Sequence, residues 1–376
     1  MANVNRILIV GGGIAGLSLA IALRQQGYAP EIIERESTWR VGGTAIVTMA
    51  NGVRVLRQLG VREDIHKTAA VIRRWGFFDY HGEPLCETDL DLLWKDVGPC
   101  LGISRLRLIE ALLKGIATVP CRLGVSLKAL TQDSNLVRVN FSDGTSKDYD
   151  LVVGADGIYS TVRRLGLNSS PPRYAGNMGW RSIAPIRFSE VTDNIRFLLG
   201  EGCIFGLIPI GDGYTYGFGG VHETHFEDPV QGRLERIRQR FSSFGGPVRA
   251  YLDALQTDEQ LHFTPIEWVE ITEWYKGRVV LVGDAAHAGP PHMAEGGCMA
   301  LEDSLVLAEV LRTEDTVEHA LEAYARRRMP RARWVQEQSR TAEKAWFLPP
   351  ALRNATLRER GDQIFRDRYQ PLIPMP

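Results

Sequence analysis

RILIVGGGIAGLSLAIALRQQGYAPEIIERE, residues Arg6 to Glu36, is the stretch that decides the fold of this chain. Its apolar beginning, Arg6 to Val10, predicts a buried strand. Gly11, Gly13 and Gly16 follow in the spacing G-x-G-x-x-G, which is typical of a strand that turns tightly into a helix.

A helix and a second strand complete this pattern. Apolar residues at near-helical spacing predict a helix from Ile14 to Gln26, and Pro30 to Ile33 predicts a strand that ends at Glu34. The first amides of such a helix face a pyrophosphate, and a terminal acid accepts hydrogen bonds from an adenosine ribose. The alternative is a glycine turn in another α/β domain, and the motif alone leaves NAD, NADP and FAD open. The cofactor-binding candidates in this stretch are Gly11, Gly13, Ile14, Ala15, Gly16, Glu34 and Arg35, the last of which is equally compatible with a solvated surface position.

Composition indicates a globular enzyme. The 376 residues are enough for two domains, and 44 basic against 45 acidic side chains give a net charge of -1. Neither nucleic acid nor an anionic membrane is therefore expected as a partner. We find no signal peptide and no apolar run of transmembrane length, and the five cysteines form no C-x-x-C pair. We expect a cytoplasmic protein without a metal site or membrane anchor, either a monomer or a homodimer.

Two further strand ends carry ligand-binding signals. The run YDLVVGADG predicts a buried strand that ends in Asp156-Gly157, and RVVLVGDAAH predicts another that ends in Gly283-Asp284. Ligands of open α/β sheets bind at such strand ends, and Asp284 is suited to bond hydroxyls of a bound chain. Gly296 and Gly297 stand just before a helix, where its first amides can face a negative ligand atom. Arg105, in the first turn of a helix predicted from Ser104 to Leu113, is a candidate for an anionic group.

The middle of the chain predicts a β-rich unit. Strands are predicted over Arg181 to Phe188, Cys203 to Ile210 and Tyr214 to Val221, followed by a helix over Asp228 to Phe244. In the third strand one face carries Tyr214, Tyr216, Phe218, Gly220 and His222, which suits the wall of a binding pocket better than a sealed core. An aromatic group near Trp75 is compatible with either core or pocket wall.

Two local predictions concern surface and hairpin segments. Leu136 to Phe141 and Lys147 to Val153 are predicted as the two strands of one hairpin. A helix from Ala320 to Arg340 carries an arginine cluster that we interpret as a solvated face pairing with nearby acids rather than a nucleic-acid patch. Pro349 and Pro350 should break this helix before one more helix and a tail.

Taken together, the three glycine and aspartate motifs resemble those of class A, single-component flavin monooxygenases, typified by para-hydroxybenzoate hydroxylase. The resemblance extends from residue 5 to about residue 340, and the run from Pro291 to Ala300 is most similar to the branch with salicylate, hydroxynicotinate and urate hydroxylases and zeaxanthin epoxidase. It implies FAD as the cofactor, with Glu34 on the adenosine ribose and Asp284 on the ribityl chain. It also implies that Arg105 lies near the phosphates and ribityl, and that Asp156, Gly157 and Arg163 contact FAD and NAD(P)H.

The resemblance further implies a fold class and domains. We expect an α/β Rossmann-like FAD-binding domain of the GR2 type with an inserted, β-sheet-rich substrate domain and a C-terminal helical segment. The FAD-binding domain would comprise residues 1–70, 101–170 and 278–345, the substrate-binding domain residues 71–100 and 171–277, and the C-terminal helix and tail residues 346–376.

The implied reaction is oxygenation of an aromatic or heteroaromatic small molecule with NADH or NADPH and dioxygen, through a flavin C4a-hydroperoxide. Pro291 should lie beside the reacting edge. The candidate bases are His222, Tyr214, Tyr216 and His292, of which Tyr216 and His292 are preferred, and Arg181, Cys203, Tyr214, Phe218 and His222 are candidate substrate contacts. Epoxidation, oxygen insertion beside a ketone, a flavin oxidase or dehydrogenase, and a binding protein without catalysis remain as alternatives.

Two departures from the family pattern stand out. Glu295 occupies a position where many members carry Gln, which predicts a carboxylate near the flavin end of the site. VTMAN, residues 47–51, lacks the Pro-Asn that is common after the second glycine-rich loop, so we carry no contacts over from that loop.

Overall fold

A computed structural model of the chain describes residue 2, residues 4–39 and residues 44–376. Residues 41–43, the glycine-rich start of the second loop noted above, lie outside these residues.

The secondary structure of the described residues is mixed. The strands, in chain order, are β1 (Ile7–Val10), β2 (Pro30–Glu34), β3 (Ala45–Thr48), β4 (Ala70–Ile72), β5 (Arg74–Asp79), β6 (Pro84–Asp89), β7 (Cys100–Ser104), β8 (Cys121–Leu123), β9 (Leu127–Gln132), β10 (Val137–Phe141), β11 (Ser146–Tyr149), β12 (Leu151–Gly154), β13 (Arg173–Ala184), β14 (Asn194–Leu199), β15 (Cys203–Pro209), β16 (Thr215–His222), β17 (His262–Trp268), β18 (Tyr275–Lys276) and β19 (Val279–Leu281). The helices are α1 (Ile14–Gln25), α2 (Ala50–Gln58), α3 (Arg62–His66), α4 (Leu90–Leu93), α5 (Arg105–Gly115), α6 (Thr161–Leu167), α7 (Arg233–Arg240), α8 (Val248–Ala254), α9 (Asp284–His287), α10 (Gly296–Thr313), α11 (Val317–Trp346) and α12 (Pro350–Tyr369). The predicted α/β class is confirmed.

A six-stranded sheet carries all three predicted ligand-binding strand ends. Its order is β18-β19-β12-β1-β2-β8, and every pair except the β18 edge is parallel. The short strands are apolar throughout, as expected where helices cover both faces of a parallel sheet. Val10 pairs with Gly154, and Gly154 pairs with Leu281. The residues that follow these strands therefore emerge side by side at one edge.

A seven-stranded, mostly antiparallel sheet forms the second large layer, in the order β17-β13-β16-β15-β14-β5-β6. One face packs against α7 and α8 through a core around Phe241 and Tyr251. The other face packs against α11, α12 and the start of α10 through a core that includes Trp75, Tyr216 and Trp346. The second of the two cavities described below, at the end of β19, lies within this second core.

Several predicted bounds in this sheet are wrong. β13 begins at Arg173, earlier than the predicted Arg181, and ends at Ala184 because Pro185 has no N–H for the ladder. Helix α7 begins at Arg233 instead of Asp228. The Asp228 carboxylate is buried and accepts hydrogen bonds from Trp180 Nε1 at 2.7 Å and Arg233 Nε at 2.9 Å, so this residue anchors the helix from outside it.

The predicted second hairpin strand, Lys147 to Val153, is two strands. β11 pairs with β10 in a small antiparallel sheet, whereas β12 belongs to the six-stranded sheet. Asp150 stands between them, and its Oδ2 accepts hydrogen bonds from the backbone N–H of Asn5 at 2.9 Å and of Arg6 at 2.8 Å. The carboxylate thus fixes the point where the chain leaves one sheet for the other.

The arginine cluster of α11 is the largest departure from the sequence prediction. We interpreted it as a solvated face pairing with nearby acids; the pairing is present, but Arg328 is fully buried, and its guanidinium donates to Asp303 Oδ1 at 2.8 Å and Glu302 Oε2 at 2.6 Å. Arg331 also donates to Glu302, from Nε at 2.7 Å. Burial opposes ionisation of these acids, yet Arg328 and Arg331 hold the pKa of Glu302 below its ordinary value, and His287 and Arg328 hold the pKa of Asp303 at about 2.

The end of the chain follows the prediction. α11 stops at Trp346, and α12 begins at Pro350, the first position of a helix, where proline's missing N–H costs nothing. All five cysteines are free thiols. Within the described residues no helix has both the length and the apolar composition needed to cross a bilayer.

Replacing Arg328 with methionine should strongly destabilise the protein. The change leaves the Glu302 and Asp303 carboxylates buried without their shared cation, which costs about 3–5 kcal/mol in comparable buried pairs. Urea unfolding measures the loss. Arg326→Met is the matched control, because Arg326 is exposed on the same helix and should change stability by less than about 0.5 kcal/mol. Equal effects of the two substitutions would contradict the assigned role of the buried cluster.

Candidate functional site

The strand ends of the six-stranded sheet meet in close backbone contact. Gly11 has a φ of +109°, and a Cβ there would lie 2.4 Å from the Ala155 carbonyl oxygen. Gly16 has equally little room, since its Cβ would lie 1.9 Å from the Gly11 oxygen. Both glycines are therefore required by the turn and by the packing of α1 on β1.

Gly13 differs from its neighbours. It precedes α1 with an extended backbone, and a Cβ built on it meets none of the described residues within 4 Å. The fold therefore does not need a glycine at this position. The space in front of Gly13 belongs to a cavity of about 380 Å³, which we call the glycine-loop cavity.

The glycine-loop cavity brings together most of the predicted dinucleotide contacts. Its walls include Gly11, Gly13, Glu34, Arg35, Arg105 and Asp156. Glu34 Oε2 accepts from the N–H of Gly12 at 2.8 Å, and Oε1 accepts from the N–H of Glu36 at 3.0 Å. Ile14, Ala15 and Gly16 belong to α1 and are not part of this lining.

Asp156 and Arg163 have structural partners of their own. The Asp156 carboxylate accepts hydrogen bonds from the Ser160 hydroxyl and from the N–H groups of Thr161 at 2.7 Å and Val162 at 3.1 Å, so it caps α6. Burial raises the pKa of Asp156. Arg163 is buried and donates to the Ala285 carbonyl at 2.9 Å and the Ile158 carbonyl at 2.6 Å. Arg163 therefore ties the second and third motifs together.

A second cavity, of about 310 Å³, lies at the end of β19, and we call it the inner cavity. Eight predicted site residues line it: Arg181, Tyr216, Phe218, Asp284, Pro291, His292, Gly296 and Gly297. Further aromatic, apolar and α11 residues line the cavity that we did not predict as site residues: Trp75, Phe197, Ile208, Gln336, Ser339 and Trp346. Only Trp75 had a sequence signal, the aromatic density of its segment.

The predicted strand face explains the central part of the inner cavity. Tyr216 and Phe218 point to the same side of β16, and both are buried. Arg181 pairs with Phe218 on the neighbouring strand and lies over its ring, 5.5 Å from the centroid. Arg181 Nη1 also donates to Thr264 Oγ1 at 2.6 Å. Burial raises the pKa of the Tyr216 phenol, and the nearby Arg181 opposes this shift only in part.

His292 is a buried and uncharged member of the inner cavity. Its ring packs edge-on against Trp346, with centroids 4.8 Å apart, and its Nδ1 has no hydrogen-bond partner. Burial, with Arg368 as a second cause, lowers the pKa of His292 to about 3. Such a ring stays neutral at physiological pH and is a weak base. The low pKa therefore favours a hydrogen-bonding role for His292 over a role as general base.

Three predicted substrate contacts lie outside the inner cavity. Tyr214 is 43% exposed in the turn before β16. His222 is exposed at the other end of that strand, where its Nδ1 bonds Asn177 Oδ1 at 2.9 Å. Cys203 packs against the core on the opposite face of the sheet. The alternation along β16 is correct, but the cavity spans only its centre.

The start of α10 forms one wall of the inner cavity. Gly296 and Gly297 line the cavity, and a Cβ on Gly297 would lie 2.5 Å from Ile46 Cδ1. The exposed Asp284 carboxylate is close by, since its Oδ1 lies 3.9 Å from where a Gly296 Cβ would stand. The Glu295 carboxylate, which we expected near this end of the site, is buried behind the helix start and does not line the cavity.

Known proteins are similar to this chain in sequence and in fold. A family model described as an FAD binding domain matches residues 5–339. The aurachin C monooxygenase/isomerase of Stigmatella aurantiaca is 33% identical over 334 residues, which cover 87% of this chain and 85% of that protein. The FAD-dependent urate hydroxylase of Klebsiella pneumoniae subsp. pneumoniae is 31% identical over 389 aligned residues, with 99% of both proteins covered. The crystal structure of Klebsiella pneumoniae HpxO complexed with FAD and uric acid superposes with a TM-score of 0.91 at 27% identity, covering 99% of this chain and 97% of that one.

Gly11 and Gly13 allow a test that separates folding from ligand binding. Gly13→Ala should leave the unfolding temperature of the ligand-free protein unchanged, because its Cβ enters open space. It should still weaken binding of a dinucleotide, with FAD as the probe, by about tenfold or about 1.4 kcal/mol, because the methyl group enters the ligand's place.

Gly11→Ala is the comparison variant. It should destabilise the protein itself by about 1–3 kcal/mol, because both its φ and the Ala155 carbonyl exclude a Cβ. Calorimetry for stability and fluorescence titration for affinity give the two readings. Undiminished FAD affinity in Gly13→Ala would exclude this cavity as the dinucleotide site.

Proposed function

The chain belongs to the family of FAD-dependent monooxygenases, and we propose on that premise that it uses NAD(P)H and dioxygen to oxygenate an aromatic or heteroaromatic small molecule bound in the inner cavity. The family membership and the FAD cofactor that the three motifs predicted are confirmed. The reductant, the oxidant and the position of the substrate are the proposal, and the arrangement of the inner cavity is the observation that carries it.

The residues present fit FAD. Open space in front of Gly13 leaves room for the diphosphate beside the first amides of α1. We assign Glu34 to the adenosine ribose, Arg105 to a phosphate and Asp284 to ribityl hydroxyls, because each lines a cavity at the shared strand edge. When bound and reduced by a nicotinamide, FAD activates dioxygen and supplies one oxygen atom to the substrate.

The inner cavity fits a flat substrate that carries an acidic oxygen. Its volume of about 310 Å³ is at the small end for ligand sites. Trp75, Phe197 and Trp346 give it aromatic walls that stack with a planar ring and exclude water. Tyr216 and Arg181 are the polar pair on its sheet side. The substrates named for two relatives, urate and 3-amino-4-hydroxybenzoate, are likewise small rings with oxygen or nitrogen substituents.

Tyr216 and Arg181 have distinct roles in this proposal. Because burial raises its pKa, the Tyr216 phenol remains protonated and donates a hydrogen bond to the substrate oxygen. The Arg181 guanidinium lowers the pKa of a substrate hydroxyl at the same place, which favours the electron-rich anion. Pro291 and the neutral His292 shape the opposite wall, next to the α10 start. Residues 71–100 and 171–277, which supply most of the seven-stranded sheet, are thus the proposed substrate-binding part of the chain.

The function itself is tested with the purified protein. It should be yellow, and it should oxidise NADH or NADPH faster when the right compound from a panel of phenols, pyridines, quinolones and purines is added. Mass spectrometry should then find a product heavier by one oxygen atom from dioxygen. Hydrogen peroxide without an oxygenated product would instead indicate an oxidase, and a colourless protein that binds no FAD would overturn the proposal.

Substitutions at the polar pair test the substrate assignment. Tyr216→Phe and Arg181→Met should each lower kcat/KM for oxygenation by about 10- to 150-fold, because a hydrogen bond to a charged oxygen contributes about 1.5–3 kcal/mol. Both variants should still bind FAD, because neither residue lines the glycine-loop cavity, where the adenosine diphosphate part is proposed to bind. Tyr80→Phe is the matched control, since Tyr80 lies outside both cavities. Unchanged kcat/KM in both cavity variants would place the substrate elsewhere.

A further inference from the structure

Glu295 is a buried acid that the proposed function leaves unused. It directly precedes α10, whose Gly296 and Gly297 line the inner cavity, and only 1% of its surface is exposed. Its Oε2 accepts one hydrogen bond, from Asn51 Nδ2 at 3.0 Å, while its Oε1 is buried without a partner.

Among the described residues, no cation is hydrogen-bonded to the Glu295 carboxylate, although Arg331 lies near enough to lower its pKa. The same Asn51 amide also donates to Glu302 Oε1 at 3.0 Å, so two acids share one donor. Arg328 and Arg331 both bind Glu302, and Arg328 also binds Asp303. These two guanidinium groups are thus already bound to two carboxylates, and Asp303 also bonds His287. An ionised Glu295 would therefore add a third negative charge beside guanidinium groups that already bind other carboxylates.

The other groups around Glu295 do not change this conclusion. The titratable and charged residues that face it or its hydrogen-bonded partners are Arg54 of α2, Cys100 of β7, Cys298 and Glu302 of α10, Arg328 and Arg331 of α11, and Tyr369 of α12. Burial raises the pKa of Glu295 to about 8, with Glu302 adding to the shift and Asn51 and Arg331 opposing it. The helix start favours an anion, but burial prevails.

We propose that Glu295 takes up a proton when FAD beside the α10 start is reduced, and thereby couples flavin reduction to pH. The inference rests on FAD binding as in the proposed function. The isoalloxazine gains negative charge on reduction, and the first amides of α10 favour that charge. A second negative charge on Glu295, at the same helix start, would oppose it.

The step balances in protons and electrons. The reductant, a nicotinamide in turnover or dithionite in the test, gives two electrons to FAD. One proton goes to the flavin, and a second passes from water to the Glu295 carboxylate wherever that carboxylate was ionised beforehand. Below about pH 8 Glu295 is already protonated in both the oxidised and the reduced enzyme, so flavin reduction adds no proton to it. The extra proton therefore enters only above this pH, until the higher pKa of the reduced enzyme is reached.

The test compares flavin potentials of the holoenzyme from pH 6.5 to 9.5, the range that brackets the pKa of about 8. The midpoint potential of the wild-type protein should fall more steeply with pH above about 8 than that of Glu295→Gln, which has no proton to gain. Glu309→Gln is the matched control, since it removes an exposed acid from the same helix, and it should follow the wild type. Parallel curves for the wild type and Glu295→Gln would overturn the proposal.

Two measurements keep the inference testable if Glu295→Gln binds FAD poorly. The wild-type protein alone, reduced at pH 9, should take up about one more proton per flavin than at pH 7 and gain infrared absorption of a protonated carboxyl group. Absence of both signals would refute the coupling. A protein without FAD would instead refute the proposed function, so the two failures are distinguishable.

The ligand-free protein provides a reading that does not depend on FAD. Folding raises the pKa of Glu295. The contribution of this residue to stability is therefore fully present below the pKa that it has in the unfolded chain, and it is lost as the pH rises to about 8, the pKa in the folded protein. Glu295→Gln should therefore gain in unfolding temperature relative to the wild type as pH rises over this range, and then keep a constant advantage. A difference in unfolding temperature that does not vary with pH would show that folding does not raise the pKa of Glu295.

Discussion

Parallel pairing of three short strands is the constraint on which the site depends. β1, β12 and β19 lie in register, with Val10 beside Gly154 and Gly154 beside Leu281. Because parallel strands end at the same edge of a sheet, chain segments more than a hundred residues apart deliver their glycines and acids to one crevice. Neither a glycine turn nor a helix start would form this site alone.

Buried charge holds the third strand end in place. Asp303 Oδ2 accepts from the N–H of Gly283 at 2.8 Å and bonds His287 Nε2 at 2.7 Å, while its other oxygen binds Arg328. Desolvation makes such a cluster costly, and its many hydrogen bonds offset that cost. What the cluster provides is position, because it fixes the strand end that carries Asp284 and the helix whose first residues line the inner cavity. The chain thus places this buried charge cluster behind the inner cavity, whose own charged lining residues are Arg181 and Asp284.

Local sequence signals predicted those parts of the site that depend on local geometry. The glycine spacing predicted the turn into α1, because Gly11 must adopt a positive φ and leave room for Ala155. Period two predicted that Tyr216 and Phe218 share a face, and both line the inner cavity. The same pattern also selected His222 and Tyr214, which lie where the strand has passed the cavity. The period-two pattern predicts which face of a strand a side chain lies on. It does not predict which other elements pack against that face.

The sequence by itself therefore determined the α/β class, the dinucleotide motif and the three strand ends, because each depends on residues that lie near one another in the chain. Only the tertiary structure decided that Arg328 is buried, that Trp346 lines the inner cavity and that Glu295 lies behind the helix start with one carboxylate oxygen unpartnered among the described residues. The physical reason is that burial and charge balance are properties of packed elements. The sequence of a helix does not show whether one of its arginines is exposed to solvent or paired with two carboxylates of another helix.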